Sequence, residues 1–175
     1  MKQPFHQTFV IRELVPQDRP FLLEMLYEAA YWRTDRERPR LAEGLERPDL
    51  VRLMANWGRA GDVALVAADG HGTRLGAAWF RLWTPENHTY GYVDESTPEI
   101  GIAVKPEFRL QGVGTSLFMQ LMARAQRDGF SQISLSVESA NPARRLYARF
   151  GFKPVREDEN TLTLLKELGP ELDAG

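Results

Sequence analysis

The feature that most constrains the fold is the segment EIGIAVKPEFRLQGVGTSLF, which spans residues 99 to 118. An apolar run leads into Pro106 and a short loop, and glycines at positions 112 and 114 then open a stretch of helical periodicity. Glycine allows the backbone to approach a ligand without a Cβ in the way. The segment therefore predicts a buried strand, a loop and a helix whose first-turn amides point towards whatever lies in front of them.

The start of this helix has the chemistry of an anion site. Its free N–H groups and the positive end of the helix dipole attract negative charge. Helix starts usually recruit Asp or Glu, yet no acidic residue lies between Glu107 and Asp128, where Arg109 is found instead. A bound phosphate would account for both observations. A glycine-opened helix that packs tightly on a sheet would account for the glycines equally well.

Other phosphate-binding motifs fit this segment less well. A Rossmann fingerprint needs a third glycine at position 117, which is Leu117, and a Walker A loop needs Lys followed by Ser or Thr after its last glycine. Neither pattern is present here.

The rest of the chain predicts a mixed α/β arrangement in one domain, residues 1–175, because no repeat or linker interrupts it. Periodicity and turn residues give the order strand, helix, helix, three strands, helix, strand, helix and two strands. The predicted strands are Phe9–Leu14, Val63–Ala68, Leu75–Trp83, Glu99–Val104, Ile133–Val137, Phe152–Arg156 and Thr161–Leu165. The predicted helices are Phe21–Trp32, Leu41–Trp57 with an interruption at Pro48, Gly112–Asp128, and a last one capped by Asn141 with Pro142 in its first position.

Composition excludes several classes of protein. The net charge of -2 argues against nucleic acid or an anionic membrane as partner. The absence of cysteine and the spacing of the three histidines, His6, His71 and His88, predict no metal site. Residues 1–10 lack signal-peptide features and no apolar run reaches the roughly 18 residues that span a bilayer. These features predict a cytoplasmic protein.

Two motifs in order resemble those of the GNAT acyltransferases. Arg109, Gly112 and Gly114 match the RxxGxG pyrophosphate signature of that family, directly after an apolar strand. The second signature, NxxAxxLYxxxGF, is matched by Asn141, Ala143, Leu146, Tyr147, Gly151 and Phe152. The resemblance covers residues 99–152, whereas the N-terminal half agrees only in its order of elements.

This resemblance implies the GNAT fold and acetyl-CoA as cofactor. The fold is an α/β (α+β) domain, with a mixed and mostly antiparallel sheet, flanking helices and a central parallel strand pair that splays apart to admit the pantetheine arm. Backbone groups at Ile102 and Val104 would bind that arm, and the amides from Leu110 to Thr115 would bind the pyrophosphate. The implied cofactor-binding residues are Ile102, Ala103, Val104, Arg109, Leu110, Gln111, Gly112, Val113, Gly114, Thr115, Asn141 and Tyr147.

The resemblance also implies catalytic roles. Transfer from a thioester to an amine needs an unprotonated nucleophile, a stabilised oxyanion and a proton for the departing thiolate. Tyr147 is where the family commonly has its general acid, and Glu99 opens the strand where some members carry a catalytic base. His88, Asp94 and Glu95 are rival bases. The alternatives are that Tyr147 only packs in the core and that Asn141 only caps its helix.

The implied acceptor is a primary amine of a small molecule or peptide, attacked directly in a ternary complex. Other interpretations are a non-catalytic acyl-CoA-binding module and a site for another phosphorylated ligand. Dimers are common in the family, so a homodimer is a further expectation. The candidate acceptor residues are Tyr31, Trp32, Arg33, Trp83, His88, Tyr90 and Tyr92.

Overall fold

The computed structural model describes residues 8–169, so His6 and both ends of the chain lie outside it. The strands are β1 (Phe9–Glu13), β2 (Val63–Asp69), β3 (Arg74–Arg81), β4 (Glu99–Val104), β5 (Gln132–Glu138), β6 (Lys153–Asp158) and β7 (Thr161–Glu167). The helices are α1 (Arg19–Ala30), α2 (Leu41–Gly44), α3 (Pro48–Met54), α4 (Val113–Arg127) and α5 (Arg144–Arg149). Within residues 8–169, no helix has both the length and the apolar character needed to cross a membrane.

All seven strands belong to one sheet with the order β1-β2-β3-β4-β5-β7-β6. Neighbouring strands are antiparallel except for β4 and β5, which run parallel in the middle of the sheet. The sequence therefore predicted the fold class correctly, including the parallel central pair. Because β4 and β5 are parallel, they need a crossover, and α4 provides it.

Helices cover both faces of the sheet. The apolar stripe of α4, which includes Leu117, Phe118 and Leu121, packs on one face. On the other face, α1 contributes Leu22 and Met25 to a second core that also contains residues of β2, β3 and β4. Strands that are buried on both faces read as continuous apolar runs, and this is the pattern of β2 and β3.

Most element ends differ from the sequence prediction by one or two residues, and the second predicted helix is divided in two. The expected helix 41–57 is two short helices, because Pro48 begins a new helix instead of continuing the first. Strand β3 ends at Arg81, two residues before the predicted end at Trp83. Helix α5 begins at Arg144 instead of Pro142, since a tight turn, in which Arg144 N–H donates to the Asn141 carbonyl at 3.2 Å, precedes it.

Candidate active site

The loop between β4 and α4 presents a row of free backbone amides. Among residues 8–169, the N–H groups of residues 110–115 have no hydrogen-bond acceptor, and Ser116 N–H is the first to donate, to Gly112 O at 3.0 Å. Leu110 and Gly112 adopt left-handed conformations, with φ of 61° and 84°. A Cβ built on Gly112 would meet no atom within 4 Å, so the space in front of the loop is open. Such a backbone cradle fits an anionic group.

Strands β4 and β5 separate immediately after they meet. Their pairing is confined to Glu99 and Ser134, so the edge of β4 beyond that point has no strand beside it. Lys105 N–H donates to Leu75 O of β3, and Pro98 O accepts from Ser134 N–H of β5. The N–H and C=O groups of successive residues in a strand point to opposite sides, so those of Ile102 and Val104 point towards the gap. This is the splay that the resemblance predicted.

A cavity of about 960 Å³ connects the cradle with the opposite face of the sheet. From the cradle side it is lined by Val104, Arg109, Leu110 and Gly114, and at its other end it reaches Trp83, Thr89 and Glu99. The gap between β4 and β5 lies between these two ends. The cavity therefore provides one continuous space in which a long cofactor and a second reactant can meet.

Arg109 does not point freely into the cradle. Its Nε donates to the Val104 carbonyl at 3.0 Å, and its Nη2 donates to Glu28 of α1 at 3.1 Å. Glu28 accepts a second bond, from Arg38, at 2.8 Å. Two arginines therefore share one carboxylate. No local sequence signal indicates this pairing, because α1 lies about 80 residues from the loop.

Glu99 is a buried carboxylate held by the loop that precedes β4. The Thr89 hydroxyl donates to Oε2, and Gly91 N–H donates to Oε1 at 3.0 Å. A Cβ on Gly91 would lie 2.5 Å from Oε1, so only glycine allows this approach. The buried indole Nε1 of Trp83 lies nearby without a hydrogen bond of good geometry. Burial raises the pKa of Glu99 despite the two donated bonds.

Tyr147 lies on the other face of the sheet, in the core below α4. Its ring packs against Phe118 and Phe152, with centroid separations of 5.6 and 6.1 Å, and only 9% of the residue is exposed. Burial raises the pKa of Tyr147 to about 12, so the phenol stays protonated throughout the physiological range. Because Tyr147 also lines the cavity, the structure is consistent with both the packing and the catalytic interpretation.

Asn141 lies where β5 leads into α5. Its Oδ1 accepts the Ala143 N–H at 2.9 Å, so the side chain stabilises the turn before the helix. The side-chain amide has no acceptor in residues 8–169 and the residue lines the cavity. Both interpretations of Asn141 therefore remain compatible with its position.

Most of the predicted cofactor residues lie along the cavity, and four do not. The lining includes Ile102, Ala103, Val104, Arg109, Leu110, Gly114, Asn141 and Tyr147, but not Gln111, Gly112, Val113 or Thr115. The Val113 side chain is buried in the core below the sheet, so this residue can offer only its backbone amide. Ala103 pairs with Ala77 of β3 and offers only its side chain to the gap.

Some of the candidate acceptor and base residues likewise line the cavity, and the others do not. Trp32, Trp83, Tyr90 and Glu99 line the cavity, whereas Tyr31, Arg33, His88, Tyr92, Asp94 and Glu95 do not. His88 stacks on Tyr92 at 4.4 Å, and Asp94 accepts bonds from Ser96. Of the carboxylates that sequence reasoning proposed as bases, Glu99 alone faces the cavity.

Several residues of the site were not predicted from the sequence. Arg47 and Asp49 line the cavity near α3 and form a two-bonded ion pair at 2.6 and 2.5 Å. Glu138 lines it at the end of β5 and is paired with Arg33 at 3.1 Å. Thr89 orients Glu99. In the sequence, Pro48 and Asp49 indicate only a helix start, and Thr89 is one polar loop residue among many.

The architecture is shared with a solved acetyltransferase. The solved phosphinothricin acetyltransferase from Sinorhizobium meliloti, in complex with acetyl-CoA, superposes with a TM-score of 0.67 at 21% identity, covering 93% of this chain and 89% of that one. At this identity the similarity establishes the fold.

A comparison of sequences identifies the family. The profile of the Acetyltransferase (GNAT) family matches residues 23–152. The chain belongs to this family.

Two curated relatives match parts of the chain. An L-methionine sulfoximine/L-methionine sulfone acetyltransferase of Pseudomonas aeruginosa (strain PAO1) is 33% identical over 96 residues, 54% of this chain and 53% of that protein. A putative [ribosomal protein bS18]-alanine N-acetyltransferase of Bacillus subtilis (strain 168) is 33% identical over 75 residues, 39% of this chain and 50% of that protein. The chain thus spans about half the length of the curated relatives it matches.

Proposed function

We propose that this protein transfers the acetyl group of acetyl-CoA to a primary amine by direct attack in a ternary complex. The observation that carries the proposal is the single cavity that joins the free-amide cradle at residues 110–115 to the buried carboxylate of Glu99. The continuous sheet over residues 9–167 supports a single domain for this function. Family membership and the acetyl-CoA complex of a protein with the same fold support the choice of cofactor.

The cofactor would be held mainly by backbone groups. Amides 110–115 would receive the pyrophosphate, and the open edge of β4 at Ile102 and Val104 would bind the pantetheine arm. When bound there, acetyl-CoA supplies an activated thioester carbonyl and a thiolate leaving group. The Val104 N–H, which faces the gap, is available to stabilise negative charge on that carbonyl oxygen.

Glu99 is suited to bind and deprotonate the incoming ammonium. An alkylammonium has a pKa of about 10 and must lose a proton before the nitrogen can attack. Glu99 lines the cavity and has no cationic partner within ion-pair distance in residues 8–169. Its raised pKa makes it a stronger base than an exposed carboxylate.

Tyr147 would donate a hydrogen bond to the departing thiolate. A thiol has a pKa of about 8.5, so complete transfer from a phenol of pKa about 12 is unfavourable. A hydrogen bond from the protonated phenol to the developing thiolate is favourable, and it is stronger because the acceptor is charged. We therefore assign Tyr147 mainly to stabilising the leaving group.

The relatives support an amine acceptor. One is named for acetylating L-methionine sulfoximine and L-methionine sulfone, and the other for acetylating an alanine of a ribosomal protein. Both names place the acetyl group on an amine-bearing molecule. By analogy, we propose a primary amine as the acceptor of this chain.

Two measurements test the proposed function. Acetyl-CoA and CoA should raise the melting temperature of the full chain, whereas NAD and ATP should not, and equal shifts from all four would contradict the cofactor. Thiol release from acetyl-CoA should then depend on an added amine. Cofactor binding without amine-dependent release across amine, amino-acid and peptide panels would instead indicate the non-catalytic binding module.

A further inference from the structure

The cavity contains one charged side chain that has no ion-pair partner. Apart from Glu99, every charged residue in its lining is paired inside the protein. Glu28 is paired with Arg38 and Arg109, Asp49 with Arg47, Glu138 with Arg33, and Arg81 with Asp62. The lining therefore offers an acceptor a single ionisable group without an ionic partner, and that group is a carboxyl, which is negative when ionised.

Part of the cavity lining is aromatic and aliphatic. Trp83 is 4% exposed and Leu50 is 6% exposed, and Trp32 and Leu53 also line the cavity. The guanidinium of Arg81 is buried below Trp83 at 5.6 Å and is fully occupied by Asp62 and backbone carbonyls. Burying an apolar group against these surfaces is favourable, whereas burying a second charge against them is costly.

Arg47 lines the cavity three residues before Leu50, and it is poorly available to a carboxylate. Its Nε–H and one Nη2–H bind the two oxygens of Asp49, which neutralises its charge, and a carboxylate that used its remaining N–H groups would lie beside the like charge of Asp49. An acceptor carboxylate that displaced Asp49 would leave this partly buried aspartate without its partner, which is costly. The pairing therefore disfavours amino acids as acceptors.

We propose that the acceptor is an apolar monoamine, an alkyl or arylalkyl amine that carries no charge besides its ammonium. Its ammonium pairs with Glu99 and its apolar body packs against Trp32, Leu50 and Trp83. This inference rests on the proposed function and narrows its substrate class.

The test compares acceptors in pairs that differ by one carboxylate. Thiol release from acetyl-CoA is measured with 2-phenylethylamine against L-phenylalanine and with 3-(methylthio)propylamine against L-methionine, alongside spermidine, L-methionine sulfone and an alanine-initiated peptide. The amines without a carboxylate should have at least tenfold higher kcat/KM than their partners. Preference for the amino acids, the peptide or spermidine overturns the proposal, as does a protein that binds acetyl-CoA but acetylates neither amine. Absence of acetyl-CoA binding contradicts the proposed function itself.

A substitution tests the role of the Arg47–Asp49 pair in excluding carboxylates. Asp49→Asn releases Arg47 and should raise kcat/KM for L-phenylalanine relative to 2-phenylethylamine by about tenfold, because a charged hydrogen bond becomes available to the carboxylate. The matched control is Asp128→Asn, which breaks an aspartate–arginine pair with Arg124 away from the cavity and should leave the ratio unchanged. An unchanged ratio in Asp49→Asn would show that the ion pair does not select against carboxylates.

A separate observation concerns the position of Arg109. Its contact with the Val104 carbonyl occupies a backbone acceptor on the open edge of β4, and its contact with Glu28 draws it towards α1. Glu28 and Arg109 both line the cavity, and the Glu28 side chain is only 11% exposed. In this arrangement Arg109 lies across the mouth of the pantetheine channel.

We infer that Glu28 competes with the cofactor's pyrophosphate for Arg109 and thereby lowers the affinity for CoA. Glu28→Gln should tighten CoA binding about two- to fivefold, the range for a partly exposed ion pair. Arg38→Met should weaken it about twofold, because Glu28 then has only Arg109 as partner. In an Arg109→Ala background, Glu28→Gln should have no effect.

Titration calorimetry with CoA measures these affinities without an acceptor. Glu24→Gln is the matched control, since it removes a carboxylate from the same helix whose partner is Lys105 at 3.7 Å. Equal or weaker CoA binding by Glu28→Gln overturns the inference, as does tightening that persists without Arg109. Wild-type protein that does not bind CoA contradicts the proposed function as well.

Discussion

The two ends of the cavity are constructed differently. The end proposed for the cofactor consists of backbone groups from one continuous segment, residues 102–115, with amides 110–115 free and the edge of β4 open. The end proposed for the acceptor consists of side chains from separated segments, among them Trp32, Asp49, Thr89 and Glu99. A backbone site depends on local conformation, whereas a side-chain site depends on how distant segments pack.

This difference implies that binding and chemistry can be separated experimentally. Substitutions in the cradle should change the affinity for CoA with little effect on the proton transfers. Substitutions around Glu99 should change turnover and its pH dependence while CoA binding persists. The predictions below test this separation.

The largest effect is expected at Glu99. Glu99→Gln should lower kcat about 1,000-fold, within the range for loss of a general base, and leave the dissociation constant of acetyl-CoA unchanged. Wild-type activity should rise with pH through the raised pKa of Glu99, because the ionised form is the base, and this acidic limb should disappear in the variant. Steady-state kinetics across pH, with an acceptor that the wild type uses, provides the measurement.

Controls for Glu99 are available in the preceding loop. Asp94→Asn and Glu95→Gln alter carboxylates that do not line the cavity, and both should retain near-normal turnover. Since the folded-state pKa of Glu99 is raised, ionisation costs stability as pH rises through that value. Glu99→Gln should therefore melt no lower than the wild type at high pH. Loss of turnover in Asp94→Asn instead would reassign the base.

The next effect concerns the cradle. Gly112→Val places a branched side chain in the open space in front of amides 110–115 and should weaken CoA binding about 100-fold, equivalent to one or two charge-assisted hydrogen bonds. Gly72→Val is a close control, because Gly72 has a φ of 83° against 84° at Gly112 and equally open surroundings. Both variants should lose similar stability. Similar CoA affinities in the two would contradict the cradle.

A smaller effect is expected at Tyr147, which lines the cavity from the core that contains α4. Tyr147→Phe should lower kcat about tenfold, because it removes one hydrogen bond to a developing charge while the ring still fills the core. The affinity for CoA should change little. Calorimetry and single-turnover kinetics separate the two quantities, and unchanged kcat would leave Tyr147 with a packing role alone.

The contrast between the two ends also explains what could be predicted from the sequence. The strand, loop and helix around Arg109 were predictable because glycine, proline and apolar periodicity are local signals. The Arg47–Asp49 pair, the Glu28 contact and the Thr89 bond were not. The Glu28 contact joins residues 81 positions apart, the Thr89 bond closes a loop of ten residues, and the Arg47–Asp49 pair lies at a helix start whose sequence does not show that it faces the cavity. The start of α5 was misplaced by two residues because a tight turn and a capped helix share the same sequence signals.

The smallest effect is expected at Thr89, which acts through its hydrogen bond to Glu99, at the end of the cavity away from the cradle. Its hydroxyl donates to Oε2 and favours the ionised carboxylate, so Thr89→Val should raise the pKa of Glu99 further. The acidic limb of the pH–rate profile should then move to higher pH, with turnover reduced a few-fold near neutrality and preserved at high pH. Thr89→Ser keeps the donor and should restore the wild-type profile. If Thr89→Val lowers turnover equally at every pH, the hydroxyl stabilises the loop and does not lower the pKa of Glu99. The acceptor end would then depend more on loop packing than on this one hydrogen bond.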